Sequence, residues 1–287
     1  MHFTQPMIAV IVEPNSPVMN ISKSIERGAR KLKSRVGERG ILAPVFRRLR
    51  KLYHGEWFRS RRVKSLIVPE VRDTIALLYP DRKLDERFMS EALESYAMQN
   101  QFHKYEAGDF DVIFLFVLTR MMRPEVVVET GICAGRSSTA ILEALKLNDL
   151  GTLYSIDLPR TFEGGGTHLV KGVGGRVYHS TLAPEADQPG WLVPDHFKGR
   201  WERILGDSNV ELPKLAARLQ RIDIFYHDSD HTYATMTNEM STSWPLIPDG
   251  GLMIIDDSTC TEAYADFIAK HPHRIDHQYS GFGVIAK

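Results

Sequence analysis

Short β-branched runs alternating with helical stretches over the last two thirds of the chain predict an α/β fold, a doubly wound and mainly parallel sheet with helices on both faces. Three observations carry that expectation. The run Val126-Val-Val-Glu-Thr130 passes through Gly131 and Gly135 into an apolar-periodic segment from Ser137, the pattern of a strand, a tight turn and a helix. A second strand-like run, Thr152 to Ile156, ends in Asp157, twenty-eight residues beyond Glu129. Further on, Ile222–Tyr226 leads into His227-Asp-Ser-Asp-His231, and Leu252–Ile255 leads into Asp256-Asp257.

Taken in order, residues 7–12 read as a short strand-like run closed by Pro14 and Pro17. Residues 85–100 and 109–122 read as helices, the second strongly apolar and stopped by Pro124. Strand 126–130, helix 137–147 and strand 152–156 follow, then a long loop over 158–200 rich in Gly and Pro. A loop of that length is more than a connector needs, which suits a lid or substrate segment; disorder is the plainer alternative. A short strand near 202–205, helix 210–219, strand 222–226, helix 232–243, strand 251–255, helix 260–269 and strand 282–286 complete the chain. In parallel sheets of this kind ligands bind beyond the carboxyl ends of the strands, where the carboxylates fall.

At 287 residues, with 43% apolar and 25% charged content, the chain has the composition of an ordinary globular protein. Two cysteines, Cys133 and Cys260, make a disulfide framework implausible and fit a reducing compartment. The longest apolar run, Val112–Leu118, is too short to span a bilayer, and the start Met1-His-Phe-Thr-Gln-Pro6 lacks the positive region of a leader. A cytoplasmic protein is expected.

The zero net charge hides an asymmetry. Residues 20–65 hold fifteen Lys or Arg against three acids, a local excess of twelve offset by the rest of the chain. Their apolar residues, such as Ile25, Leu32, Val36 and Leu49, recur at roughly helical spacing. That pattern suits either an amphipathic helix in peripheral contact with an anionic membrane or a solvated face docked on the acidic remainder or on another subunit. The division expected is therefore a basic, largely helical N-terminal extension, 1–84, and a catalytic domain, 85–287.

The turn at Gly131–Gly135 departs from the dinucleotide fingerprint because Cys133 stands where the middle glycine would be, so a nucleoside without a diphosphate is favoured. At the other strand ends, Asp228, Asp256 and Asp257 offer hard oxygen ligands that suit Mg²⁺ with open positions. Without a metal, like charges that close would raise one another's pKa values, which suits a general base. His231 is the other candidate base. Capping of the following helix is the structural alternative for Asp230 and His231.

These segments in this order, Val127-Val-Glu-Thr-Gly-x-x-x-Gly-Arg-Ser-Ser138, Ser155-Ile-Asp157, Gly206-Asp-Ser208, His227-Asp-Ser-Asp-His-Thr-Tyr233 and Asp249-Gly-Gly…Asp256-Asp257, resemble the class I S-adenosylmethionine-dependent methyltransferases. The resemblance is nearest to their small-molecule and sugar O-methyltransferase branch and covers about residues 100–287. It implies a Rossmann-like, seven-stranded sheet and an S-adenosylmethionine cofactor. Glu129, Thr130, the Gly131–Gly135 turn and Ser137 would hold the methionine moiety, Asp157 the ribose, and Asp207 and Ser208 would lie by the adenine. Asp228 would face the transferred methyl, with Asp228 or His231 catalytic, and Asp228, Asp256 and Asp257 would bind Mg²⁺ as in metal-dependent relatives. The acceptor implied is a hydroxyl on a sugar, glycolipid or secondary metabolite, and a homo-oligomer is expected; nucleic acid is not an expected partner. Two rivals stand beside this reading. A nicotinamide-dependent oxidoreductase would share the fold, but Cys133 disfavours it; a non-catalytic binding protein would not need the strand-end carboxylates.

Overall fold

The computed structural model describes residues 63–99, 108–158, 168–171, 177–180, 188–279 and 281–287. The strand-like run 7–12, nearly all of the basic segment 20–65 with its expected amphipathic helix, and the glycine-rich stretches 159–167 and 172–176 lie outside those residues. Residues 62–287 form one compact unit. A π-helical turn, Val63–Ile67, opens it, followed by helices α1 (Val68–Leu78), α2 (Glu86–Gln99) and α3 (Asp109–Met122). The expected domain boundary falls at residue 84, yet Val71, Ile75 and Leu78 of α1 are buried in the same core as α3.

From there strand and helix alternate: β1 (Val126–Thr130), α4 (Arg136–Asn148), β2 (Thr152–Asp157), β5 (Trp201–Leu205), α5 (Ser208–Arg218), β6 (Ile224–His227), α6 (Tyr233–Ser243), β7 (Leu252–Ile255), α7 (Ala263–Lys270), β8 (Ile275–Tyr279) and β9 (Phe282–Ala286). Between β2 and β5, the stretch expected to be loop contains an antiparallel pair, β3 (His168–Lys171) and β4 (Val177–Ser180). The main sheet has seven strands in the order β5-β2-β1-β6-β7-β9-β8. The first five are parallel; β9 runs antiparallel to β7, and β8 to β9.

Strand β8 escaped the sequence reading for a physical reason. Its Ile-Asp-His-Gln-Tyr alternates half-buried and exposed residues, as an edge strand does, and offers no apolar run.

Strict alternation along the central strands divides the core into two layers. Val127, Ile224, Tyr226, Leu252 and Ile254 face α1–α4, while Val128, Phe225, Met253 and Ile255 face α5–α7. Helix α3 is apolar on nearly all sides because it is nearly enclosed, with Phe110 through Thr119 all buried. Truncating Phe114, at 0% exposure, is expected to cost about 3–5 kcal/mol.

The order of strands reverses at β1, whose neighbours are β2 on one side and β6 on the other. A crevice opens beyond the carboxyl ends of strands at such a point. The glycine turn and Asp228 both lie there.

Candidate active site

The turn after β1 is held by its backbone. Gly131 N–H donates to Ile156 O (2.8 Å) and Gly135 N–H to Ile132 O (2.8 Å). Gly131 has φ 85° and Gly135 φ 93°. At Gly131 the need for glycine is also steric, because a Cβ would lie 1.9 Å from the carbonyl oxygen of Asp228. Cys133 occupies the left-handed region at φ 47°, a conformation costing a non-glycine residue about 1–2 kcal/mol. Asp157 supports that bend: its Oδ2 accepts from the N–H groups of Ile132 (2.9 Å) and Cys133 (2.8 Å), and its Oδ1 from Leu158 N–H (2.7 Å). Burial pushes the Asp157 carboxyl up, against these three donors, which favour its charged form. A carboxylate offers about four lone-pair positions, so Oδ1 retains one that a further donor could use.

Residues 188–193 are fastened over the turn, with Gly190 N–H on Cys133 O (2.7 Å) and Leu192 N–H on Ala134 O (3.0 Å). The rest of the expected cofactor set divides by orientation. Glu129 is fully buried, and its carboxylate accepts from Ser137 (2.6 Å), Ser138 (2.6 Å) and Ser155 (2.7 Å). Glu129 and Ser137 therefore pin the start of α4 to the sheet. Thr130 and Ser208 likewise point inward, their hydroxyls donating to Glu239. Asp207 caps α5, accepting from Asn209 N–H at 2.9 Å. What the turn presents to the crevice is backbone, flanked by Asp157 and Asp207.

On the other side of Gly131 stands a group of carboxylates with few donors. Tyr226 Oη donates to Asp228 Oδ2 at 3.2 Å, and Asp228 and Asp256 hydrogen-bond each other, so the pair shares a proton. Burial, then the charge of Asp256 and Asp111, holds the Asp228 carboxyl well above the usual range. Burial, then Asp111 and Asp257, does the same to Asp256. Burial also pushes Asp111 up to about 6, although Gly108 N–H donates to it at 2.6 Å. Asp111 is a member of this group that the sequence reading missed: near the start of an apolar helix, it has the look of an ordinary N-terminal acid.

His231 lies with Nε2 at 3.8 Å from Asp228 Oδ1, too far for a hydrogen bond. Burial, then the neighbouring His227, pushes its pKa down to about 3, so the contact is not an ion pair and the ring is neutral. Neutral imidazole is the form that ligates metals. Asp228, His231 and Asp256 each offer a ligand atom, and the three atoms lie within 4.8 Å of one another. Among the described residues this is the one such group. Of the metal set expected from sequence, Asp228 and Asp256 fall in this group, with His231 beside them; Asp257 does not. Successive residues at a strand end point to opposite sides, and at φ 48° the backbone of Asp257 turns its carboxyl toward Cys260 and Gly281. Asp230 does not cap the helix: its Oδ2 accepts from the Thr232 (2.8 Å) and Thr235 (3.0 Å) hydroxyls, and the cap is Thr232, which accepts from Thr235 N–H.

A family described as a methyltransferase domain matches residues 128–258, which hold the turn, Asp157, Asp207, Asp228, His231 and Asp256. Over residues 128–258 the chain is similar to that methyltransferase family. No curated protein matches the sequence. Among solved structures, the chain resembles an O-methyltransferase from Bacillus cereus in complex with SAH at 13% identity and a TM-score of 0.46, covering 76% of this chain and 97% of that one. It also resembles the O-methyltransferase TomG from Streptomyces achromogenes in complex with SAM, at 16% identity and a TM-score of 0.46, over 76% and 95% of the two chains. The SAH-bound methyltransferase PaMTH1 from Podospora anserina gives 11%, 0.44, 76% and 95%. These are likenesses of fold alone.

Proposed function

We propose that this protein is an S-adenosylmethionine-dependent methyltransferase that acts on oxygen, methylating a hydroxyl of a sugar, glycolipid or secondary metabolite. One observation supports the reading above the others: Gly131 sits so close to Asp228 that a Cβ would nearly reach its carbonyl oxygen, so the cofactor turn and the carboxylates belong to one site. S-adenosylmethionine supplies the methyl on a sulfonium and would be held by the turn backbone, Asp157 and Asp207. The chain's own part is to position the acceptor oxygen, take its proton and keep water away. An alcohol needs that help, because at neutral pH it does not ionise. Asp228 is the group placed to receive the proton; His231, whose pKa is pushed down to about 3, is a weak base better suited to ligating.

The group Asp228, His231 and Asp256 also suits a divalent cation such as Mg²⁺, which lowers the pKa of a bound hydroxyl and keeps several open positions. Loading the ion would replace the proton shared by the two carboxylates. No helix of the described residues is long and apolar enough to cross a membrane. Peripheral contact of the basic segment 20–65 with an anionic leaflet, in a cytoplasmic homo-oligomer, belongs to the same proposal and is carried by charge alone.

The test is mass-spectrometric detection of methylated products from a panel of sugars, glycolipids and phenolic metabolites. S-adenosylmethionine would be supplied with Mg²⁺ or with excess chelator. Transfer to oxygen that needs the ion supports the reading. Transfer only to nitrogen, sulfur or carbon would overturn it, and full turnover in chelator would leave Asp228 or His231 as a metal-free base.

A further inference from the structure

Glu239, in the middle of α6, is a buried acid that the proposed chemistry leaves unused. It is 0% exposed, and so is its partner His227. Its Oε2 accepts from Thr130 Oγ1 at 2.5 Å and lies 2.6 Å from His227 Nδ1; its Oε1 accepts from Ser229 Oγ at 2.7 Å. Ser208 also donates to it. Burial alone would raise its pKa, but His227 and the hydroxyls outweigh that and hold the carboxyl below the usual range, so it is charged.

The four donors come from the walls of the cofactor crevice. Thr130 is the residue before Gly131 and its turn; Ser208 opens α5 on the side expected for the adenine; His227 and Ser229 flank Asp228. Alternation along β6 sends His227 to the α6 side of the sheet, with Tyr226 on the other. From that face Glu239 cannot touch cofactor or acceptor. A buried carboxylate held by polar partners is also a poor choice for stability alone, since apolar residues of the same volume generally serve as well or better. We propose that Glu239 is a positioning residue that fixes the glycine turn, the start of α5 and Asp228 relative to one another, so that the crevice is formed before S-adenosylmethionine enters. The inference rests on the crevice being the cofactor site.

Pre-forming a site removes an ordering cost from binding, so its loss is read as weaker affinity. Titration calorimetry with S-adenosylhomocysteine reads this directly, without acceptor or metal, on the full chain well below each variant's melting midpoint. Glu239→Met is expected to weaken binding roughly 10- to 100-fold. Glu239→Gln should stay within about threefold of the wild type, because the hydroxyls and His227 can each exchange donor for acceptor roles with an amide. Thr130→Val keeps the shape and removes one hydroxyl, and should weaken binding roughly three- to tenfold. If Glu239→Met does not fold, Thr130→Val decides the matter. Glu239→Met and Thr130→Val with lowered melting midpoints and unchanged affinity would show a purely structural acid and overturn the proposal. A wild type that binds no S-adenosylhomocysteine would overturn the assignment of the crevice itself, an outcome visible in the first titration.

Discussion

Two sets of buried acids lie on either side of Gly131 in this protein, and they are treated in opposite ways. Around the cofactor turn, Glu129 accepts from three hydroxyls and Asp157 from three backbone N–H groups. Across Gly131, Asp228, Asp256 and Asp111 mainly face one another, with Tyr226 Oη and the N–H groups of Gly108 and Asp257 as donors. Donors around the first set fix the shape of a crevice. Scarcity of donors around the second leaves carboxylates whose charge is costly until a proton or cation arrives. The same residue type thus builds a scaffold on one side and a reactive edge on the other.

The sharpest way to break this contrast is on the reactive side. Asp228→Asn should lower methyl transfer by roughly 10²–10⁴-fold, the range for losing a positioned proton acceptor, while the melting midpoint stays the same or rises. Steady-state turnover beside a thermal melt would check both. Gly131→Ala probes the scaffold, adding a left-handed penalty of about 1–2 kcal/mol and a collision with Asp228 O. A total loss of roughly 3–5 kcal/mol in urea unfolding is expected, and an unchanged midpoint would contradict the packing described here. Asp157→Ala should weaken S-adenosylhomocysteine binding by roughly 1.5–3 kcal/mol if the ribose bonds are charge-assisted; equal affinity by calorimetry would remove Asp157 from the ligand set.

A subtler test uses pH. The Asp111 carboxyl titrates near 3.8 unfolded and at about 6 folded, so between those values the folded state holds more protons and stability falls as pH rises. Its contribution is intact below pH ~4 and lost by pH ~6–7, a change of about 1–3 kcal/mol. Melts in chelator should show that decline, and Asp111→Asn should flatten it. A wild-type profile that rises over the same interval would mean that Asp111 is paired in solution.

Much of this contrast was legible in the sequence, and what was not has a physical cause. β-Branched runs ending in acids gave β1, β2, β6 and β7 with their carboxylates, since strand period and turn glycines are local properties. Whether an acid is satisfied is not local. Glu129 reads as a ligand until Ser155, on a different strand, is seen to reach it. Asp111 and Glu239 sit on helices, where an acid reads as a cap or a solvated face, and only the packing of α3 and α6 against the sheet brings them to the site. Asp257 stands outside the group of Asp228, His231 and Asp256 and has a φ of 48°, an angle that no residue pattern announces.

Magnetic resonance shows whether the turn and the carboxylates hold cofactor and cation side by side in one site. Mn²⁺ added to the protein with S-adenosylmethionine bound should speed the relaxation of the S-methyl protons, and Asp228→Asn should abolish the effect. Unchanged relaxation with both ligands bound, or a full effect in Asp228→Asn, would contradict the account.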